Sequence, residues 1–185
     1  VRLKIDIERR DATRRHHSAT HLLHLALRRV LGEHAQQKGS VVDAERLRFD
    51  FTHDRPLTES QLRTIEEQVN RGILANHAVR TEILGIEAAK ARGAMMIFEE
   101  KYGDVVRMLT MGDSMELCGG THVRATGDIG SFKIQSEQGI AAGVRRIVAV
   151  TGMPALAYIQ DIEARWLNLA ERLRGSPNEI IDKVT

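Results

Sequence analysis

The sequence predicts an α+β fold, with packed helices against a mixed or largely antiparallel sheet. Three observations carry that prediction. Over residues 12–34 the apolar side chains Leu22, Leu23, Ala26, Leu27, Val30 and Leu31 recur three and four apart, the spacing of a helix with one buried face. Short runs elsewhere alternate with period two, as in Leu47-Arg48-Phe49-Asp50-Phe51, which is the pattern of a half-buried strand. Helices and strands then follow one another without a regular βαβ repeat, so a doubly wound parallel sheet is not expected.

In chain order, Val1, Leu3, Ile5 and Ile7 alternate with charged residues and read as a strand, after which Asp11 caps the first helix. Arg14, Arg15, Arg28 and Arg29 fall mostly off the buried face of that helix. Residues 39–43 and 47–52 read as a strand pair, placing Leu47, Phe49 and Phe51 on one face. Pro56 and Thr58 open a helix over about 58–75, with Gln61 three residues after Thr58 as in a capping box. A strand over 78–84, a short helix over 86–92 closed by Gly93, and a strand over 105–111 lead to the only cysteine. Residues 130–138 and 143–151 form a predicted hairpin turning at 139–142, and Pro154 starts a last helix that runs to Leu173 before Gly175-Ser176-Pro177. Its stripe of Leu156, Ile159, Ile162, Trp166, Leu169 and Leu173 predicts packing on this domain or passage to a further one.

A chain of 185 residues suits one substantial core rather than two independent domains. Its 27 basic and 25 acidic residues leave +2, which excludes nonspecific coating of nucleic acid and confines any RNA contact to a local patch. One cysteine excludes an internal disulfide framework and points to a reducing, cytoplasmic setting. No apolar run approaches the ~20 residues of a membrane span, so no membrane partner is expected. A start without methionine, directly in a regular pattern, suggests a piece of a longer protein.

The chemistry-bearing residues are His17 and His21, four apart on the first helix, together with Cys118-Gly119-Gly120-Thr121-His122. Four residues along a helix is about one turn, so the two imidazoles project from one face. The glycine pair lets the backbone turn tightly enough for Cys118 and His122 to reach one ion. Three imidazoles and one thiolate suit Zn²⁺. His16 and His24 lie close by but have no histidine partner at four. If all four donors bind at once the tetrahedron is full, so the metal either orients substrate or needs a fifth position for water.

Five blocks in order carry a family resemblance: His17-Ser-Ala-Thr-His21-Leu-Leu, Gln37-Lys-Gly39-Ser40, Leu47-Arg-Phe-Asp-Phe-Thr-His53, Glu116-Leu-Cys118-Gly-Gly-Thr-His122-Val and Ala141-Ala-Gly-Val-Arg145-Arg146-Ile. Over about residues 1–152 the chain resembles the editing domain of alanyl-tRNA synthetases. It is also similar to free-standing alanyl-tRNA editing proteins and, more distantly, to the editing domain of threonyl-tRNA synthetase. The resemblance implies the second-additional-domain type of α+β fold, an editing domain at 1–152, and a helix at 153–185 leading towards a C-terminal domain.

It also implies an aminoacyl-tRNA hydrolase that removes serine or glycine esterified to the 3′ end of alanine tRNA, tRNA(Ala), at a zinc-containing site. A synthetic pocket for alanine rejects neither a missing methyl nor an added hydroxyl strongly, so a second sieve is needed. Thr20 and Gln37 fall at the family's pocket positions. Arg145 and Arg146, whose guanidinium forks match phosphate oxygens, are the expected phosphate contacts near the tRNA end, with Lys101 as a further candidate; adjacent strand residues must nonetheless face opposite ways. Three positions depart from the family pattern: His16 where asparagine is common, Glu99 where glycine is expected, and Val148 where an acidic residue is frequent. A free-standing editing protein and a noncatalytic zinc-stabilised RNA-binding module are the alternatives. A peptidase is disfavoured, since His17 and His21 do not enclose the glutamate of His-Glu-x-x-His. The absence of a glycine-rich nucleotide loop predicts no ATP use in this segment.

Overall fold

The computed structural model describes residues 3–96 and 102–176. In chain order it contains α1 (Ile7–Leu31), β1 (Gln37–Val42), β2 (Leu47–Thr52), α2 (Glu59–Leu74), β3 (Val79–Gly85), α3 (Ile86–Ala91), β4 (Val105–Met111), β5 (Ser114–Leu117), a 3-10 turn (Thr126–Ile129), β6 (Phe132–Ala141), β7 (Val144–Thr151) and α4 (Gly152–Arg172). The strands form two antiparallel sheets, ordered β1-β2-β7-β6 and β3-β4-β5. The α+β expectation therefore holds, with the sheet divided in two.

Both sheets use the period of two to share one core. On β2, Leu47, Phe49 and Phe51 are fully buried and face the same way. They meet Leu23 and Leu27 of α1, Ile65 and Val69 of α2, and Ile147 of β7 in the main cluster. Leu109 and Met111 of β4 join that cluster, while Val106 and Met108, on the opposite face of the same strand, pack with Leu117 and Ala89 in a second one. The smaller sheet is thus covered on both sides, by α1 and by α3. The helix α2 begins as its sequence requires: Gln61 N donates to Thr58 Oγ1 at 3.2 Å and Thr58 N donates to Gln61 Oε1 at 2.9 Å.

Four local expectations need correction. Val1 and Arg2 lie outside the described residues, and over residues 3–6 no strand forms. Ile7 already lies in α1, and the cap is Asp6, which accepts from Arg9 N at 3.0 Å, rather than Asp11. With Leu3 88% exposed and no partner strand, alternation alone does not order that segment, whereas Asp6 and Glu8 complement the positive end of the helix dipole. The hairpin turn is Ala142-Gly143, shorter than 139–142, because bulges between Ile134 and Ser136 and between Gly139 and Ala141 carry β6 further. The strand β5 was not expected; Gly112, at φ +56°, turns the chain back so that Ser114–Leu117 pairs with β4. Finally, the α4 stripe does not enter the core. Leu156, Ile159, Ile162 and Leu169 are 42–46% exposed, and only Ala155 and Ala170 of this helix are buried. Its contacts run to the ends of β6 and β7. Among the described residues, no helix is long and apolar enough to cross a membrane.

Truncation at the core should separate these environments. Phe49→Ala is expected to cost about 3–5 kcal/mol in denaturant unfolding, and Ile159→Ala under about 1 kcal/mol. Equal losses would show that α4 is buried as deeply as β2.

Candidate metal centre

The helix α1 presents His17 and His21 one turn apart, and the segment after β5 brings Cys118 and His122 against them. One donor atom from each residue lies within 4.8 Å of the other three. Cys118 Sγ is 3.6 Å from His17 Nε2 and 3.3 Å from His122 Nε2. Among the described residues this set of four could hold a metal ion.

The rings of His21 and His122 are oriented from behind. Glu116, 1% exposed on β5, receives His21 Nδ1 at 2.6 Å on one carboxylate oxygen and His24 Nδ1 at 3.1 Å on the other. His21 Nε2 is buried with no hydrogen-bond partner among the described residues, and this side of the ring faces the cluster. Ser18 fixes His122. Its hydroxyl proton goes to Arg14 O at 2.8 Å, so the contact at 3.2 Å has His122 Nδ1 donating and leaves Nε2 with its lone pair. Val123 N also donates to that Ser18 oxygen at 3.1 Å. Outer partners of this kind set the tautomer that a metal needs.

The loop is held as firmly as the rings. Arg107 of β4 donates through Nη1 to Cys118 O at 3.0 Å and Gly120 O at 2.6 Å, while Cys118 N donates to Arg107 O at 3.0 Å. Gly120 is required for packing: a Cβ there would stand 2.1 Å from His17 Cε1, whereas one at Gly119 would meet nothing within 4 Å.

The electrostatics follow from burial and pairing. Burial opposes charge on Glu116, but the imidazoles of His21 and His24 outweigh it and hold the carboxyl well below its usual range. Burial likewise opposes protonation of His21, yet the charge of Glu116 raises its pKa to about 10. Burial would raise the Cys118 thiol, but its contacts with His122 and His17 bring it down to about 3. His122 falls to about 4, chiefly through burial, which keeps the ring neutral. The low-pKa thiol of Cys118 and the neutral ring of His122 are donors in the protonation state that metal binding demands, whereas His21, held protonated by Glu116, has to release its Nε2 proton when an ion binds.

The remaining expected site residues are dispersed. Thr20 is buried on α1 and donates to His16 O at 2.9 Å. Gln37 is half-buried at the start of β1, opposite Phe51. Arg145 and Arg146 face opposite ways. Arg145 pairs with Glu137 of β6, and Arg146 makes a two-pronged pair with Asp50 of β2 at 2.7 and 2.8 Å. Lys101 and Glu99 lie outside the described residues. His16 has a different role from the four donors: its Nε2 accepts from Thr151 N at 3.1 Å, so Nδ1 donates to Asp43 O at 3.0 Å and ties α1 to the end of β7 and to the β1–β2 connection. Glu116, Ser18 and Arg107 were missed as site residues. Glu116 stands two residues before the cysteine, and strand alternation puts it on the cysteine's side, a signal that was available.

Residues 106–148 match the family described as the threonyl and alanyl tRNA synthetase second additional domain. That segment of the chain belongs to this family. The matched segment of this second additional domain runs from β4 almost to the end of β7 and includes Cys118 and His122, while His17 and His21 on α1 lie before it. Across its whole length the chain is similar to part of the alanine–tRNA ligases. It is 56% identical over 184 residues to that of Polaromonas sp., covering 100% of this chain and 21% of the ligase. For Sorangium cellulosum the figures are 57% over 185 residues, 100% and 20%. For Herminiimonas arsenicoxydans they are 56% over 180 residues, 97% and 21%. The chain thus spans about a fifth of the length of these curated relatives.

Two substitutions test how α1 and the matched segment together build the four-donor set. Gly120→Ala should displace His17 and lower the affinity for a divalent metal by about 10–100-fold in competition with a chromogenic chelator, while Gly119→Ala stays within about twofold. Glu116→Gln should also cost about 10–100-fold, by removing the charged acceptor of His21 Nδ1–H. Unchanged affinity in both Gly120→Ala and Glu116→Gln would mean the metal binds elsewhere.

Proposed function

We propose that this chain is the editing domain of an alanyl-tRNA synthetase, hydrolysing the ester that joins serine or glycine to the 3′ end of tRNA(Ala). The observation that carries the reading is the convergence of His17, His21, Cys118 and His122 within a member of this family. The ion is Zn²⁺, which a thiolate and three imidazoles suit. When bound, it supplies a fixed positive charge for orienting or polarising the ester. The relatives' names support the parent enzyme, and with it the cytoplasmic setting of protein synthesis and the remaining synthetase domains as partners. Residues 1–152 form the hydrolytic unit, and the helix beyond continues towards the rest of the parent.

This chain's own groups position and discriminate. Thr20 has committed its hydroxyl proton to His16 O, so its oxygen is left as an acceptor for the serine hydroxyl. Alanine, with a methyl in that place, would leave the oxygen unpaired in a buried site, which is costly. Gln37, at the mouth of β1, is assigned to the same pocket on the family resemblance. Arg145 and Arg146 remain assigned to the tRNA end on that basis, although each would have to exchange a carboxylate for a phosphate.

A second reading is favoured by one feature: four protein donors complete a tetrahedron, as in structural zinc sites. In that case the metal fixes α1 to the cysteine loop and the chain binds tRNA without turnover. Incubation with seryl-, glycyl- and alanyl-tRNA(Ala) separates the two, with preferential loss of serine and glycine expected. Equal stability of all three esters in the metal-loaded protein would sink the editing reading. Thr20→Val should slow seryl ester hydrolysis by about tenfold or more and leave the glycyl ester nearly unaffected; equal effects on both would remove Thr20 from the discriminating role.

A further inference from the structure

We propose that Arg14, Arg15 and Arg124 form a phosphate subsite beside the metal centre, which takes a backbone phosphate next to the esterified 3′ end of the tRNA. This deepens the editing reading and rests on it. The observation is an open cavity of about 350 Å³ lined by Asp11, Arg14, Arg15, Val123, Arg124 and Asp128. It adjoins the donors directly. Val123 follows His122, and Arg14 precedes Ser18 by one turn, with Arg14 O accepting from the same hydroxyl that orients His122.

The charges in this cavity are arranged to leave guanidinium groups available. Three arginines face two aspartates, a formal balance of +1 from the lining residues. Asp128 spends Oδ2 on the backbone N–H groups of Arg124 and Ala125, at 3.2 and 3.1 Å, capping the 3-10 turn. Asp11 holds Arg14 through Nη1 at 3.2 Å, and Arg14 Nε is buried with no partner among the described residues. Among the described residues Arg15 donates only Nε, to Asp128 O at 3.2 Å, which leaves both of its terminal amino groups. The Arg124 side chain makes no hydrogen bond or ion pair among the described residues and is exposed. Arg145 and Arg146, by contrast, are each neutralised by a carboxylate.

A guanidinium cluster in an open cleft suits a phosphate diester, whose charge persists at all working pH values and whose paired oxygens match the fork. The terminal nucleotide carries its ester and its 5′ phosphate on one ribose. A site that holds the ester at the metal therefore has a phosphate within a few ångströms, and the cavity begins one residue from His122.

The test uses this chain and two seryl esters: a seryl minihelix, which carries the phosphates, and 3′-O-seryl adenosine, which has none. Arg124→Gln and Arg15→Gln should each raise KM for the minihelix by about tenfold with kcat held, leave seryl adenosine unaffected, and flatten the salt dependence of binding. Equal losses on both esters, or none on either, would overturn the subsite. Binding of an uncharged minihelix by fluorescence anisotropy keeps the two proposals apart. If the wild-type chain hydrolyses neither ester, the editing reading fails, yet weaker binding by both variants would still uphold the subsite. Unchanged minihelix affinity in both would refute it.

Discussion

A carboxylate buried between two imidazoles fixes how the helical half of this domain meets its smaller sheet. Glu116 lies on β5, His21 and His24 on α1, and both carboxylate oxygens are used. Stripped of its partners, an ionised group at 1% exposure would cost several kcal/mol; paired on both oxygens it permits essentially one docking of strand on helix. That docking aims His21 Nε2, and with it His17 one turn earlier, at the loop that follows the same strand. The site is thus a consequence of a packing constraint more than of the loop's own preferences.

The loop answers with two constraints of its own. Arg107 gathers the carbonyls of Cys118 and Gly120, and the bare Cα of Gly120 lets the His17 ring lie against the backbone. Ser18 closes the circle, since one hydroxyl reads the helix carbonyl of Arg14, the His122 ring and the Val123 amide together. His21 and His122 therefore have partners that set their direction, the cysteine loop is held by Arg107, and His17 is placed by its packing against Gly120.

The elements with strong local signals were legible in the sequence: the amphipathic α1, the capping box of α2, the alternating β2 and the paired β6 and β7. Their bounds failed where a non-local partner decides. Residues 3–6 alternate like a strand but pair with no edge among the described residues, and β5 is four residues long with a glutamate in its middle, so neither propensity nor period marks it. The clustering of His17, His21, Cys118 and His122 was readable because helix spacing and a glycine pair are local facts. Arg107 and Ser18 were not, because their roles depend on register between β4 and β5 and on the approach of α1. The arginines show the same limit: a sequence shows guanidinium groups but not which carboxylates already hold them, and only the fold reveals that Arg145 and Arg146 are taken while Arg124 is not. The apolar stripe of α4 was read correctly as a stripe, but whether such a face is covered is not a property of the helix that bears it.

The central claim is that α1 and the loop after β5 close on one ion through three nitrogens and one sulfur. X-ray absorption at the zinc edge of the metal-loaded chain tests it most directly. The account predicts one sulfur at about 2.3 Å and three nitrogens at about 2.0–2.1 Å, with imidazole scattering beyond. A first shell without sulfur, or with only oxygen donors, would contradict it.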